Sequence, residues 1–194
     1  MEEYPYKQQD FENPSFLFRL EDSLKGVLGS FLYDPFIKLF GLKGDENALD
    51  FGCGGGSGSK YILKKLGKNG TLTCLDISSF WMKRAERRLA KYDNVSFIHG
   101  DIRKVDIPEG SFDVIAVVHV IHDIEPKERE SVVLALAGKL VASGKLFIFE
   151  PTKCSHGMPV SEIRNLMEKA EINLTSFLVI FYSQGRSGSG FLLH

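Results

Sequence analysis

Ala48-Leu49-Asp50-Phe51-Gly52-Cys53-Gly54-Gly55-Gly56-Ser57-Gly58 is the stretch on which the fold turns. A short apolar run passes through an acid into a cluster of glycines, and Tyr61, Ile62, Leu63 and Leu66 then follow at helical spacing. Strand, glycine bend and helix in that order mark the place where open α/β sheets bind ligands, beyond the carboxyl ends of the strands. Without side chains a ligand can approach the main chain closely, and the helix start presents unpaired amides to polar groups.

Spacing separates the possible ligands. The dinucleotide fingerprint G-x-G-x-x-G fails, because its sixth position is Ser57 counted from Gly52 and Ser59 counted from Gly54. The phosphate loop G-x-x-x-x-G-K-[ST] fails too: Ser59 stands where glycine is required, and Tyr61 follows Lys60. What fits is Asp-x-Gly-x-Gly-x-Gly, with Asp50, Gly52, Gly54 and Gly56. Here the sequence resembles the first motif of the class I S-adenosylmethionine-dependent methyltransferases.

Further motifs follow in the order that family has them. Asp76 ends the second apolar run, twenty residues after Gly56, where a carboxylate can accept two hydrogen bonds from a ribose diol. In the family it resembles, this acid holds the ribose. Gly100-Asp101-Ile102 looks like the adenine-binding segment, with Asp101 accepting from the exocyclic amino group and Ile77 and Ile102 flanking the ring. Phe112-Asp113-Val114-Ile115 resembles the usual start of the fourth strand, and Glu150-Pro151 the usual end of the fifth. The resemblance runs from about Ala48 to Pro151. Each residue has an ordinary reading beside this one: Asp76 as a helix cap, Asp101 as a turn former, the isoleucines as core. Their joint order and spacing favour the family.

The resemblance implies an α/β fold, a doubly wound, mostly parallel seven-stranded sheet of the Rossmann-like methyltransferase type. N-terminal cap helices and a C-terminal antiparallel hairpin complete it. The periodicity agrees. Strands are expected at Ala48–Phe51, Thr71–Leu75, Val95–His99, Val114–Val118, Lys145–Phe149, Leu174–Tyr182 and Phe191–Leu193. Helices are expected at Gly58–Leu66, Ser79–Lys91, Pro126–Leu140 and Val160–Ala170. Ahead of them, Leu17, Leu20, Leu24, Val27, Leu28 and Phe31 recur at intervals of three and four, an amphipathic helix, and a short helix starts near Pro35. Most of the aromatic residues of this region, among Phe11, Phe16, Phe18, Phe31 and Tyr33, are expected to pack on the sheet, the rest to form an apolar lid. With 194 residues, 43% of them hydrophobic, one domain over 1–194 is expected, residues 1–44 as a helical cap and 45–194 as the cofactor-binding core.

Composition narrows the partners. A formal charge of -1 gives no general attraction to nucleic acid or anionic lipid, so neither is expected as a partner. No apolar stretch is long enough for a membrane span, and Met1-Glu2-Glu3 lacks the basic start of a signal peptide; a cytoplasmic protein is expected. Cys53, Cys74 and Cys154 form no CxxC pair and no metal-ligand grouping, so free thiols and no metal are expected. Lys83, Arg84, Arg87, Arg88 and Lys91 read as a solvated helix face, with Trp81 as core or as a contact in a homodimer.

Methyl transfer from a sulfonium is an in-line displacement in which the protein aligns the reactants and excludes water. A base is needed where the acceptor must lose a proton. His122-Asp123, after the fourth strand, resembles the His-Asp of small-molecule O-methyltransferases, which makes His122 the candidate base; packing, capping by Asp123 and cofactor contact are the other readings. His119 is expected to meet the methionine part through its backbone. The Asn-Pro-Pro-aromatic motif associated with amino acceptors in nucleic acid bases and proteins is missing, which favours a small-molecule methyl acceptor. An RNA or protein methyltransferase and a non-catalytic nucleoside-binding regulatory module remain as alternatives.

Overall fold

The computed structural model describes residues 10–151, 157–170, 177–182 and 191–192. The chain forms two compact units, one running from Asp10 to Val105 and the other starting at Asp106. In the first, α1 (Phe16–Leu32) and α2 (Asp34–Lys38) precede β1 (Asn47–Phe51), α3 (Ser59–Lys65), β2 (Thr71–Asp76), α4 (Ser79–Leu89) and β3 (Val95–His99). The strands lie in the order β3-β2-β1, all parallel, with Asp50 beside Cys74 and Asp76 beside His99. Parallel neighbours need a crossover, and α3 and α4 supply it. Beyond Asn47, β1 is buried on both faces, so its residues are apolar without alternation. Ser78, two residues after Asp76, caps α4, its Oγ accepting from the Trp81 amide at 3.2 Å, and this fixes the helix start.

The second unit contains β4 (Phe112–Val118), a single 3-10 turn (Ile121–Asp123), α5 (Pro126–Lys139), β5 (Leu140–Pro151) and α6 (Val160–Lys169). Pro126 opens α5, where its missing N–H costs nothing. β4 and β5 are parallel, with an irregular register between Phe112 and Val114. β5 begins at Leu140, five residues earlier than the apolar pattern predicts, because Val141 to Gly144 extend the strand without being an apolar run.

These are the expected elements of an α/β Rossmann-like fold with a parallel sheet. Five parallel strands, three in one unit and two in the other, are described with their side chains, rather than seven. β6 (Phe177–Tyr182) pairs parallel with β5, and the two-residue β7 (Phe191–Leu192) pairs antiparallel with β6, by backbone register. Residues 183–190, on which the expected closing hairpin depends, lie outside the described residues, as does Cys154.

The N-terminal helix departs from expectation. Its apolar stripe does not pack on the sheet: Leu17, Leu20, Leu24, Val27, Leu28 and Phe31 are 45–83% exposed. Phe16 is exposed as well, whereas Phe18 meets the buried Trp81 edge-on, ring centroids 5.4 Å apart. Periodicity identifies the helix but not which face it buries, and α1 makes contacts through Asp22 and Phe18 rather than through that stripe. No helix among the described residues is long and apolar enough to cross a membrane.

Candidate functional site

The glycine bend in the first unit is shaped by three left-handed residues, Gly52 (φ 68°), Gly54 (φ 53°) and Gly56 (φ 75°), conformations an L side chain resists. The amides of Gly52 and Cys53 both donate to the Leu75 carbonyl, at 2.8 and 3.1 Å, which fastens the bend to the end of β2. A Cβ at Gly56 would lie 3.2 Å from Leu89 Cδ1 and 3.3 Å from Ala85, so glycine there permits close packing against α4. At Gly54 a Cβ would meet nothing within 4 Å, and the bend is open on that side.

Two acids of the predicted site converge on this bend. Asp76 Oδ2 accepts from the Gly54 amide at 2.8 Å, and Oδ1 accepts from the Ser78 amide at 2.8 Å. Burial raises its carboxyl above the ordinary value, and the two amides oppose the rise. Asp50 is buried and its Oδ2 accepts from Ser59 Oγ at 2.5 Å. Burial pushes its carboxyl up to about 7 against that hydrogen bond, and the neighbouring charge of Asp76 adds to the rise. Cys53, between the glycines, is a buried free thiol, as is Cys74.

The third acid is engaged elsewhere. Both oxygens of Asp101 accept from Arg103, Nε at 2.9 Å to Oδ1 and Nη2 at 2.6 Å to Oδ2, and this pairing holds the carboxyl below its usual range. The two isoleucines differ: Ile77 is 64% exposed and offers an apolar surface one residue beyond Asp76, while Ile102 is 2% exposed and sits in the core.

The candidate base belongs to the second unit and has a partner that sequence reasoning missed. His122 Nδ1 lies 2.6 Å from Glu150 Oε2, and Nε2 lies 3.5 Å from Asp123 Oδ2. Glu150 is fully buried, and its other oxygen accepts from the amides of Val120 and Ile121 at 2.8 and 2.7 Å. A carboxylate at the end of β5 thus holds both the backbone of the 3-10 turn and the histidine that follows. Burial alone would lower the His122 pKa; the hydrogen bond and charge of Glu150, helped by Asp123, outweigh it and raise the pKa above the ordinary value. His119 adopts φ 57°, donates its amide to the Phe149 carbonyl at 2.8 Å and stacks its ring on Phe149. Arg129 completes the cluster, donating to the carbonyls of Ile124 and His122 at 2.9 and 3.0 Å and to Glu162 at 2.6 Å.

Arg84 and Arg88 are not the solvated face expected of α4. Arg88 donates to the Gly55 carbonyl, to Ser57 Oγ at 2.6 Å and to both oxygens of Asp22, and Arg84 Nη2 also reaches Asp22, at 2.9 Å. The sequence signal for the pair was their i, i+4 spacing on one helix face. Asp22, 62 and 66 residues away, had no signal beyond being an acid in a largely apolar helix.

Comparison with known proteins identifies the family. The model of the methyltransferase domain family matches residues 48–144, half of the chain, and the chain belongs to that family, the class I S-adenosylmethionine-dependent methyltransferases. A ribosomal RNA small subunit methyltransferase H of Clostridium botulinum is 34% identical over 95 residues, 49% of this chain and 31% of that protein. A demethylmenaquinone methyltransferase of Staphylococcus aureus is 28% identical over 81 residues, 42% of this chain and 34% of that protein. The chain matches about a third of the length of these relatives. The crystal structure of a SAM dependent methyltransferase from Aquifex aeolicus superimposes with a TM-score of 0.63 at 22% identity, covering 85% of this chain and 90% of that one, and shares the fold.

The donor set suits an adenosyl ligand. Gly54 leaves open space where a side chain would stand, and Asp76 offers a carboxylate beside it whose oxygens each keep a second lone pair for a hydroxyl.

Proposed function

We propose that the chain transfers a methyl group from S-adenosylmethionine to a small-molecule acceptor. The observation that carries this reading is the Asp76 carboxylate seated at 2.8 Å on the amide of the open glycine Gly54. When bound, S-adenosylmethionine supplies a methyl group on a positively charged sulfur. Asp76 binds the ribose hydroxyls, and the bend at Gly52, Gly54 and Gly56 lets the nucleoside approach the main chain. Asp50 holds Ser59 at the start of α3, and with a carboxyl near pKa 7 it carries charge in part at neutral pH. Ile77 flanks one face of the adenine, with Asp101 exchanging part of its Arg103 pairing for the adenine amino group, while the buried Ile102 is core beneath that segment. His119 meets the methionine part through its backbone; its left-handed conformation is a strain of the kind kept at functional positions. His122 takes the acceptor proton on Nε2 while Glu150 holds Nδ1, so the ring keeps one tautomer and one orientation.

The exposed apolar stripe of α1 supports an apolar acceptor, and the demethylmenaquinone methyltransferase relative agrees with it. An RNA acceptor is favoured instead by the ribosomal RNA methyltransferase relative, whose similarity covers 49% of this chain against 42% for the quinone enzyme. The reading extends to a single domain over residues 1–194, with a doubly wound seven-stranded sheet, a closing hairpin and residues 1–44 as a cap. It also extends to a cytoplasmic location and a homodimer. Calorimetric titration with S-adenosylmethionine, S-adenosylhomocysteine and NAD tests the cofactor: binding of the first two and not the third is expected, and Asp76→Asn is expected to weaken it by about tenfold or more. Wild-type affinity in Asp76→Asn removes the reading. Cofactor binding without methylation of any quinone, phenol or RNA acceptor favours the regulatory module.

A further inference from the structure

We infer that Asp22 and Arg88 form a latch that couples the seating of α1 to cofactor binding at the glycine bend, with Arg88 as a positioning residue for that bend. The inference rests on the reading of the bend as the cofactor site. Gly55 lies between two left-handed glycines and has no side chain of its own to anchor it, so contacts from outside the loop hold it. Arg88 supplies them: Nη1 donates to the Gly55 carbonyl and to Ser57 Oγ, and the same guanidinium grips Asp22 on α1, Nη1 to Oδ1 at 3.0 Å and Nη2 to Oδ2 at 2.8 Å. Ser57 closes the circuit by donating to Asp22 Oδ1 at 3.0 Å.

The latch sits directly on the bend. A Cβ at Gly55 would stand 2.8 Å from Asp22 Oδ1 and 3.0 Å from Arg88 Nη1, so any shift of that residue is felt by both charges. The ions are largely shielded, the Asp22 side chain 13% and Arg88 19% exposed. Such a pair contributes little net stability, but removing one partner leaves the other charge uncompensated. α1 cannot leave without stripping Arg88 of its counter-ion and Ser57 of its acceptor. The same N-terminal segment is fastened on the far side of Asp76: Glu12 accepts from the Ser79 amide and hydroxyl at 2.7 and 2.8 Å, and Ser78 Oγ donates to the Phe11 carbonyl. Ser78 is the residue whose amide holds Asp76 Oδ1. Both anchor points of the segment therefore contact groups that hold the glycine bend or the ribose acid. Coupling of this kind is reciprocal: a ligand that rigidifies the bend tightens α1, and loosening α1 weakens the ligand.

Hydrogen exchange across Phe16–Leu32 and calorimetric titration with S-adenosylhomocysteine, in the wild type, Arg88→Met, Arg88→Lys and Asp22→Asn, test this. In the wild type the ligand is expected to slow exchange in α1. Arg88→Met and Asp22→Asn, compared at a temperature well below their lowered thermal midpoints, are expected to bind about tenfold or more weakly and to lose that ligand-dependent protection. Arg88→Lys recovers part of the affinity, since one ammonium cannot serve the loop and Asp22 as a planar fork does. If Arg88→Met does not fold, Asp22→Asn makes the same comparison. Wild-type affinity in Asp22→Asn and Arg88→Lys, or an α1 whose exchange ignores a bound ligand, overturns the latch. A wild type that binds no S-adenosylhomocysteine overturns the cofactor reading itself, and a flat wild-type titration tells that case apart.

Discussion

Gly54 and Gly56 stand two residues apart in one bend yet answer to different physics. Both have positive φ, so alanine at either strains the backbone by about 1–2 kcal/mol. At Gly56 the new methyl also meets Leu89 and Ala85, whereas at Gly54 it enters open space. Gly56→Ala is expected to lower the urea midpoint by the equivalent of about 2–3 kcal/mol. Gly54→Ala is expected to cost less stability but more S-adenosylhomocysteine affinity; the reverse order would separate the bend from ligand binding.

Asp50 carries a pH signature. Its carboxyl is raised to about 7 in the folded chain from 3.8, so the folded state holds a proton that the unfolded state has released. Stability from this residue is full below pH 4 and falls as pH rises through 7, by ~4 kcal/mol at about 1.4 kcal/mol per pH unit. Urea unfolding of Asp50→Asn between pH 4 and 8 is expected to lose that slope, and an unchanged slope refutes the assignment. His122 has the same sign: its raised pKa adds stability below about pH 6.5 that is lost as pH rises through the folded value. Glu150→Gln keeps an acceptor for the Val120 and Ile121 amides but removes the charge. NMR titration is expected to show the His122 pKa falling, and the rising limb of the methylation rate shifting to lower pH, because the neutral base then appears sooner.

Among elements, the turn after β4 depends on a side chain that no local pattern singles out. Arg129 on α5 satisfies two carbonyls of that turn and pairs with Glu162 on α6. Arg129→Met strands both carbonyls and is expected to cost about 2–3 kcal/mol in urea unfolding; a change below about 0.5 kcal/mol would show that water replaces the guanidinium freely. The strands were legible in the sequence because buried parallel strands are apolar runs, and β1 to β4 lie within a few residues of their expected places. The glycine motif and Asp76 were legible because their geometry is local. Glu150 was readable as the end of a strand and not as the partner of His122, since the two are 28 residues apart. The Asp22 and Arg88 contact, across 66 residues, was invisible for the same reason. The helix α1 was foreseen and its orientation was not, because periodicity reports a stripe and is silent about what that stripe faces.

At the scale of the whole molecule, the segment shared with the methyltransferase family, residues 48–144, contains the glycine bend, Asp76 and the candidate base, and omits α1, Glu150 and all that follows β5. On the proposed reading, most of the cofactor site lies in the shared part, and acceptor choice belongs to residues outside it. Exchanging residues 10–44 for the corresponding segment of a relative, with Glu12 and Asp22 retained to keep their contacts with Ser79 and Arg88, is expected to change acceptor preference more than cofactor affinity, measured as kcat/KM on paired acceptors.

A helix that turns hydrocarbon to water along much of its length also makes the protein sensitive to its solvent. Sulfate and phosphate strengthen the tendency of such surfaces to shed water, so precipitation at modest ammonium sulfate is expected, with Leu17→Glu and Phe31→Glu raising the threshold.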